Sequence, residues 1–387
     1  MIKAMAENIK EELISIRRQL HKTPETDFEE VKTAEFIRKI LTEYGIEYKT
    51  AAKTGTVAVI YGKNKDRTVL LRADIDGLPI KDESDFEIKS ERKGYMHACG
   101  HDIHTTCLLG AAKILNEMRN NLNGNVKLVF QPAEEGSGGA LPMIEEGVLE
   151  NPHVNAAFAL HVEPLEQTGK IQIKDGSIMA SPDDFEIIIR GVGGHGAYPE
   201  KCVNPLSVGA AILEKYHKLP NEYNLPCVVT ICSFNGGTCR NAIPDTAVIT
   251  GTARSLDLNT RTQLIKLLEE IAIKISKKMG AEINFNFNIL FPPVVNNKEM
   301  NNIVRKSAEK LGLEVTVLEK PSMAGDDFAY FCERIPGAYF KLGVGNKEKG
   351  VVYPIHSPKF NADEDALPIG SAIMAKIAAE YLDTFKE

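Results

Sequence analysis

A chain of 387 residues, 43% hydrophobic and 26% charged, has room for about two globular domains at roughly 150 residues each, and it excludes a fibrous or disordered protein. The formal net charge is −7 with no basic block, which argues against a nucleic-acid partner, because phosphate binding needs a basic stripe. No run of about 18 apolar residues occurs, so no membrane span is expected.

The start, Met1 to Glu7, lacks a long apolar core, so no signal peptide is expected. Cys99, Cys107, Cys202, Cys227, Cys232, Cys239 and Cys332 are odd in number and dispersed, which suits reduced thiols and a cytoplasmic location. Two amphipathic helices come first. One carries Ile9, Leu13, Ile16 and Leu20 at helical spacing, and the next has Ala34, Ile37 and Leu41 on one face. Asp27-Phe28-Glu29-Glu30 reads as a capping box for the second helix and Gly45 as its stop. Short apolar runs at 57–60, 69–71, 126–130 and 156–160 read as buried strands. A helical stretch with Ile103, Cys107, Ala111, Ile114 and Met118 separates the second run from the third. Strands alternating with helices predict an α/β domain with a mostly parallel sheet flanked by helices.

The rhythm then changes to strand 185–190, helix 205–218, strands 227–234 and 247–255, helix 260–279 and strand 283–290. This is the order of a split, ferredoxin-like β-α-β-β-α-β unit. Proline-bearing segments at Pro182 and at Pro292-Pro293 flank it. The expected organisation is an inserted domain at 183–292 interrupting a domain built from 1–182 and 293–387, with the two linkers as a hinge.

Residues that carry chemistry gather at the predicted strand ends. The run at 69–71 leads into Asp74 and Asp76, the run at 126–130 into Glu134 and Glu135, and the run at 156–160 into His161. In an open parallel sheet the carboxyl ends of strands share one edge, where sites are built. The segment His97-Ala98-Cys99-Gly100-His101-Asp102-Ile103-His104 precedes a helix and reaches the same edge. Thiolate, imidazole and carboxylate are the ligands that zinc and similar divalent ions take, and a thiolate or carboxylate also bridges two ions. Adjacent Glu134 and Glu135 suit a division of labour. One carboxylate binds metal, while the other takes a proton from a metal-bound water and passes it to the leaving amine. The metal brings that water's pKa from about 15.7 towards roughly 7. Taken singly, these features have plainer readings. Paired glutamates are usually solvated, a histidine after a strand usually bonds to the sheet edge, and Arg72, Asp74 and Asp76 also suit a structural ion-pair network. Their meeting on one edge is what favours a site.

The segments RADIDGLPI (72–80), MHACGHDIHTT (96–106), FQPAEEGSGGA (130–140), ALHVEP (159–164), GGHGAYP (193–199), NAIPD (241–245), AGDDFAYF (324–331) and IHSPKF (355–360) extend across nearly the whole chain. In these segments the chain resembles the zinc-dependent carboxypeptidase G, aminoacylase and dipeptidase superfamily. Within it, the chain is most similar to the branch of hippurate hydrolases, auxin–amino acid conjugate hydrolases, N-acetyl-diaminopimelate deacetylases and N-acyl-L-amino acid amidohydrolases. The resemblance implies two divalent metal ions per subunit, zinc first, with manganese, cobalt or nickel as alternatives. Cys99, His101, Glu135, His161 and His356 would hold them, Cys99 bridging where the wider superfamily has aspartate. Glu134 would be the general base and acid, and Asp74 would orient a ligand from behind. The insert would form the interface of a homodimer or dimer-based oligomer, and His195 would reach the partner's site to stabilise the developing oxyanion. A donor so aimed is worth about 3 kcal/mol. Asn241 and Arg254 would bind the substrate's α-carboxylate or carbonyl. The chain departs from the wider superfamily at Arg72, where a ligand histidine is usual, and at Asp326, where glutamate is frequent.

The expected function is hydrolysis of N-acyl-L-amino acids, with acetyl, benzoyl or similar acyl groups, to a carboxylate and a free amino acid through a metal-bound hydroxide. A dipeptidase or carboxypeptidase with the same chemistry is the alternative. Glu134 beside Glu135 speaks against a storage protein, which needs no proton shuttle. The surrounding ligands speak against Cys99 as a nucleophile, since they would occupy its thiolate. Gly136, Gly138 and Gly139 do not form a phosphate loop, because no Lys-Ser/Thr follows.

Overall fold

The apolar runs become the centre of an eight-stranded sheet in the computed structural model, which describes residues 1–385. Its order is Tyr48–Ala51, Gly55–Ile60, Asn125–Gln131, Thr68–Asp74, Ala156–Gln167, Gly337–Gly345, Ile171–Ile173, Val315–Val317. The four strands from Asn125–Gln131 to Gly337–Gly345 run parallel, and the next strand on each side, Gly55–Ile60 and Ile171–Ile173, is antiparallel to its neighbour among them. The sheet is therefore α/β with a parallel middle, as the alternation of strands and helices predicts. Thr68–Asp74 and Asn125–Gln131 are buried along their full length, which is why they read as continuous apolar runs rather than alternating ones. Lys127 is the charged exception within the 126–130 run. Its buried ammonium donates to the carbonyls of Val148, Glu150 and Pro152 at 2.8, 2.8 and 2.9 Å, and burial pulls its pKa down to about 8.

Helices His101–Glu117 and Ala366–Thr384 pack on this sheet and on each other, carrying Cys107, Ala111, Ile373 and Ile377 into one core. The sheet and these helices belong to a unit made of Met1–Gly176, Val295–Glu319 and Asp327–Glu387. In this unit the helix Lys298–Leu311 shows how a polar sequence starts a helix. Asn297 Oδ1 accepts from the N–H groups of Glu299 and Met300 at 2.9 and 3.1 Å, and Gly312 closes the helix at φ +74°. Asn297→Ala is expected to cost about 1 kcal/mol of stability, read as a lower urea midpoint at unchanged slope.

The capping box read at 27–30 is not formed. The helix Val31–Glu43 has Glu30 at its N-cap with no side-chain cap bond. Glu25 takes that part instead, accepting from the Thr33 N–H at 2.9 Å and the Thr33 hydroxyl at 3.1 Å. Asp27 and Phe28 adopt φ of +52° and +67°, which turns the segment away from the helix axis.

The second unit comprises Ser177–Val294 and Lys320–Asp326. Its four-stranded sheet has the order Cys227–Gly236, Thr246–Ser255, Ser181–Arg190, Glu282–Asn288, with every neighbour antiparallel. Helices Pro205–Glu222 and Leu258–Met279 pack on one face over Ile187 and Ile249, the second helix contributing Leu268 to the same core. That order and those directions are the split β-α-β-β-α-β arrangement expected from the sequence. Segment 320–326 joins this unit through the Ala180 N–H, which donates to the Ala324 carbonyl at 2.9 Å. Among the described residues, no helix is long and apolar enough to cross a membrane.

Candidate active site

Four pieces of the first unit deliver polar side chains to one place. Strand Thr68–Asp74 ends in Asp74, and Asp76 follows two residues later. Strand Asn125–Gln131 leads through Pro132 and Ala133 to Glu134 and Glu135. Strand Ala156–Gln167 carries His161, opposite Lys341 of its parallel neighbour. Helix His101–Glu117 begins at His101, immediately after Gly100 at φ +85°. A Cβ on Gly100 would stand 2.5 Å from Val162 Cγ2, so glycine permits both the left-handed turn and the close approach of the helix to the strand. His356 arrives from a fifth segment, with φ +62° and its N–H donating to the Ala98 carbonyl at 2.8 Å.

The donor atoms meet as overlapping triads. Cys99, His101 and His161 offer atoms within 4.8 Å of one another, as do Cys99, Glu135 and His356, and also His101, Glu134 and Glu135. Cys99 Sγ is 3.4 Å from His161 Nε2, and His356 Nε2 is 2.9 Å from Glu135 Oε1. Each buried ring has its outer nitrogen committed. His161 Nδ1 lies 2.7 Å from its acceptor, the Val162 carbonyl, and His101 Nδ1 lies 3.0 Å from Asp76 Oδ1. Donation through Nδ1 aims both Nε2 atoms at the cluster, where each offers a lone pair once its ring is neutral. Among the described residues, His101 Nε2 is buried without a hydrogen-bond partner. It stands 3.9 Å from Glu134 Oε2 and 3.8 Å from Asp74 Oδ2.

The electrostatics are those of a site built around positive charge. Burial, and then Glu135 and Glu134, push the Cys99 thiol well above its ordinary range. Burial pulls His101 down, but Asp74, Asp76 and Glu135 outweigh it and hold the ring up at about 10. Burial raises Asp74, yet His101, His104 and Arg72 together keep its carboxylate well below the usual range. His161, desolvated and next to His104, stays neutral. A thiol, imidazoles and carboxylates, with an orphaned ring nitrogen in a field of carboxylates, fit divalent cations by donor type. Two surface hollows of about 570 and 590 Å³ lie elsewhere in this unit and are lined by none of these residues.

The substrate-binding candidates lie in the second unit. His195 and Asn241 sit side by side, because Gly194–His195 pairs with Ala242–Ile243 and the Gly196 N–H donates to the Asn241 carbonyl at 2.8 Å. Arg254 is not part of that pair. It lies near the far end of strand Thr246–Ser255, opposite Val228 and Pro182, with Nη1 buried and without a hydrogen-bond partner among the described residues.

The sequence model of peptidase family M20/M25/M40 matches residues 70–380, the stretch that holds every member of the cluster. The chain belongs to this family. It is 37% identical to thermostable carboxypeptidase 2 of Saccharolobus solfataricus, over 98% of each chain. It is 40% identical to IAA-amino acid hydrolase ILR1-like 2 of Arabidopsis thaliana, covering 96% of this chain and 85% of the relative. The crystal structure of the Bacillus subtilis YXEP protein, described as a dinuclear metal binding peptidase from the M20 family, superposes with a TM-score of 0.88. The two are 34% identical, over 98% of this chain and 100% of that one. The protein is a hydrolytic enzyme acting on amide bonds.

In this peptidase-family chain two residues to which the sequence assigns no role at the site lie against the cluster. Asp76 joins His101 Nδ1 through Oδ1 and the Glu135 N–H through Oδ2, at 3.0 and 2.9 Å. His104 takes Asp74 Oδ1 on Nδ1 at 2.6 Å and accepts the Val162 N–H on Nε2 at 2.9 Å, so both its nitrogens are occupied. The signal for His104 was its place one helical turn after His101. Asp74 thus supports His104 most directly, and the carboxylate behind the His101 ring is Asp76.

Proposed function

We propose that the protein hydrolyses the amide bond of N-acyl-L-amino acids, releasing a carboxylate and a free amino acid, with two divalent metal ions bound at the Cys99 cluster. The observation that carries this reading is the pair of donor triads sharing Cys99, with Glu134 reaching to within 3.9 Å of the orphaned His101 nitrogen. Cys99, His101 and His161 would hold one ion, and Cys99, Glu135 and His356 the other. Bound there, the ions would polarise the amide carbonyl and acidify water. Glu134 would take the proton from the attacking water and hand it to the departing nitrogen. Asp76 would keep His101 in the tautomer a ligand needs, and Asp74 would hold His104 in place behind the cluster.

Zinc is the first choice of ion, with manganese, cobalt and nickel also suited to a mixed sulfur, nitrogen and oxygen set. The seven free cysteines fit a cytoplasmic protein. Pairing of two copies through 183–292 as a homodimer, and roles for His195, Asn241 and Arg254 in holding substrate, belong to the same proposal and rest on the resemblance of GGHGAYP and NAIPD. A relative named as a carboxypeptidase supports a second reading, a carboxypeptidase or dipeptidase with the same chemistry, while one named as an IAA-amino acid hydrolase supports the first.

The test is a panel of acetyl-, benzoyl- and indoleacetyl-amino acids and dipeptides, assayed on metal-stripped protein restored with each ion in turn. Release of amino acid from at least one acylated substrate, at a higher kcat/KM than from any dipeptide, is the expected result. A reversed order supports the peptidase reading instead. Failure on every substrate with every ion ends both.

A further inference from the structure

The segment read from sequence as a capping box has another task. Its carboxylates, with Asp76, grip the loop that carries Glu134 and Glu135. Three alternate backbone N–H groups of that loop each donate to a carboxylate. The Ala133 N–H donates to Glu30 Oε1 at 3.1 Å, the Glu135 N–H to Asp76 Oδ2 at 2.9 Å, and the Ser137 N–H to Asp27 Oδ1 at 2.9 Å. We propose that Glu30 and Asp27 are positioning residues, clasping residues 133–137 so that Glu134 and Glu135 are held in place for catalysis and metal binding. The proposal rests on the hydrolase reading above.

The geometry shows why such a clasp is needed. Ala133 has φ +53°, a left-handed conformation that a residue with a Cβ holds only when its surroundings impose it. Loops placed by bonds to backbone N–H groups are fixed in path whatever their side chains do. Glu30 is fully buried, and its second oxygen accepts the Thr54 hydroxyl at 2.6 Å, so its carboxylate cannot swing away. Its first oxygen also accepts the Phe28 N–H at 3.1 Å, which ties the two halves of the segment together. Asp27 lies against the far end of the loop. A Cβ on Gly136 would stand 2.7 Å from Asp27 Oδ1, so glycine is what lets the carboxylate approach. The segment is anchored in turn at Glu25, whose carbonyl accepts the Gly77 N–H at 2.6 Å, next to Asp76. Asp76 completes the arrangement, because the same carboxylate that holds the Glu135 N–H also orients His101.

Four variants test the clasp. Glu30→Ala removes the buried acceptor and Glu30→Gln keeps one. Asp27→Gly removes the exposed acceptor while tolerating φ +52°, and Asp27→Asn keeps one. The first readout is amide hydrogen exchange of the 132–140 stretch in metal-free protein, which needs no turnover. The second is zinc stoichiometry and affinity by calorimetry. The third is kcat and KM on whichever acylated amino acid the wild type hydrolyses best. In Glu30→Ala and Asp27→Gly, exchange at 133–137 should speed up. Their kcat should fall about 10–100-fold, the range seen when partners behind a metal site are removed, with KM nearly unchanged. Glu30→Gln and Asp27→Asn should restore most of the loss. Unchanged exchange, or faster exchange with wild-type kcat, overturns the positioning role. Should Glu30→Ala not fold, the exposed Asp27→Gly decides by itself. If the wild type hydrolyses nothing, the hydrolase reading fails, and exchange still decides whether the clasp exists.

Discussion

Glu134→Gln is expected to bind as much metal as the wild type and to lose about 10²–10⁴-fold in kcat, the usual worth of a placed general base and acid. Glu134 is largely buried, and its Oε2 lies 3.9 Å from His101 Nε2, beside the donor atoms but outside both Cys99 triads. The amide keeps the shape of the side chain and removes its basicity. Metal content measured by emission spectroscopy should therefore stay constant while turnover collapses, and KM should change little. A mutant with turnover intact at saturating metal would refute the proton-shuttle role. A mutant that lost metal as well would make Glu134 a ligand rather than a base.

Cys99→Ala should be the more destructive of the ligand changes, because both triads use its sulfur. His356→Ala touches one triad only. The expected pattern is loss of both ions and of activity in the cysteine variant, against loss of one ion in the histidine variant. Cys99→Asp, which supplies a carboxylate able to bridge, should keep two ions. The proton balance gives an independent check. Without metal, the Cys99 thiol is held protonated by burial and by Glu135 and Glu134. His101 keeps its second proton up to about pH 10 because Asp74, Asp76 and Glu135 overcome its burial. Ligands bind deprotonated, so zinc uptake at pH 7 should expel about two protons and tighten as pH rises. Calorimetry in buffers of different ionisation heat measures that number. Zinc uptake without proton release would mean these two residues do not ligate.

Much of this site was legible in the sequence because the ligands sit where apolar runs stop. Asp74, Glu134 and His161 follow runs whose strand identity is set by continuous burial, and parallel strands bring their ends to one side. What was not legible depends on contacts between distant segments. Asp76 follows Asp74 in the same motif, but only folding shows that its two oxygens reach residues 101 and 135. Asp27 and Glu30 have the spacing of a local cap, and local rules cannot reveal that positive φ at 27 and 28 sends both carboxylates to a loop more than a hundred residues away. The membership of 320–326 in the second unit rests likewise on a pairing with Ala180 that no pattern announces.

Strand Gly337–Gly345 lies inside the sheet, between two strands that come from residues 156–173. A ribosome adding about 5–20 residues per second releases the early strands well before that central one. Until it threads in, the sheet has an open seam, and the segment bearing His356 has not yet been made. On the ligand set proposed above, the nascent chain would lack one ligand until residue 356 has been made. Binding of both proposed ions would thereby wait until the chain has been extended past that segment.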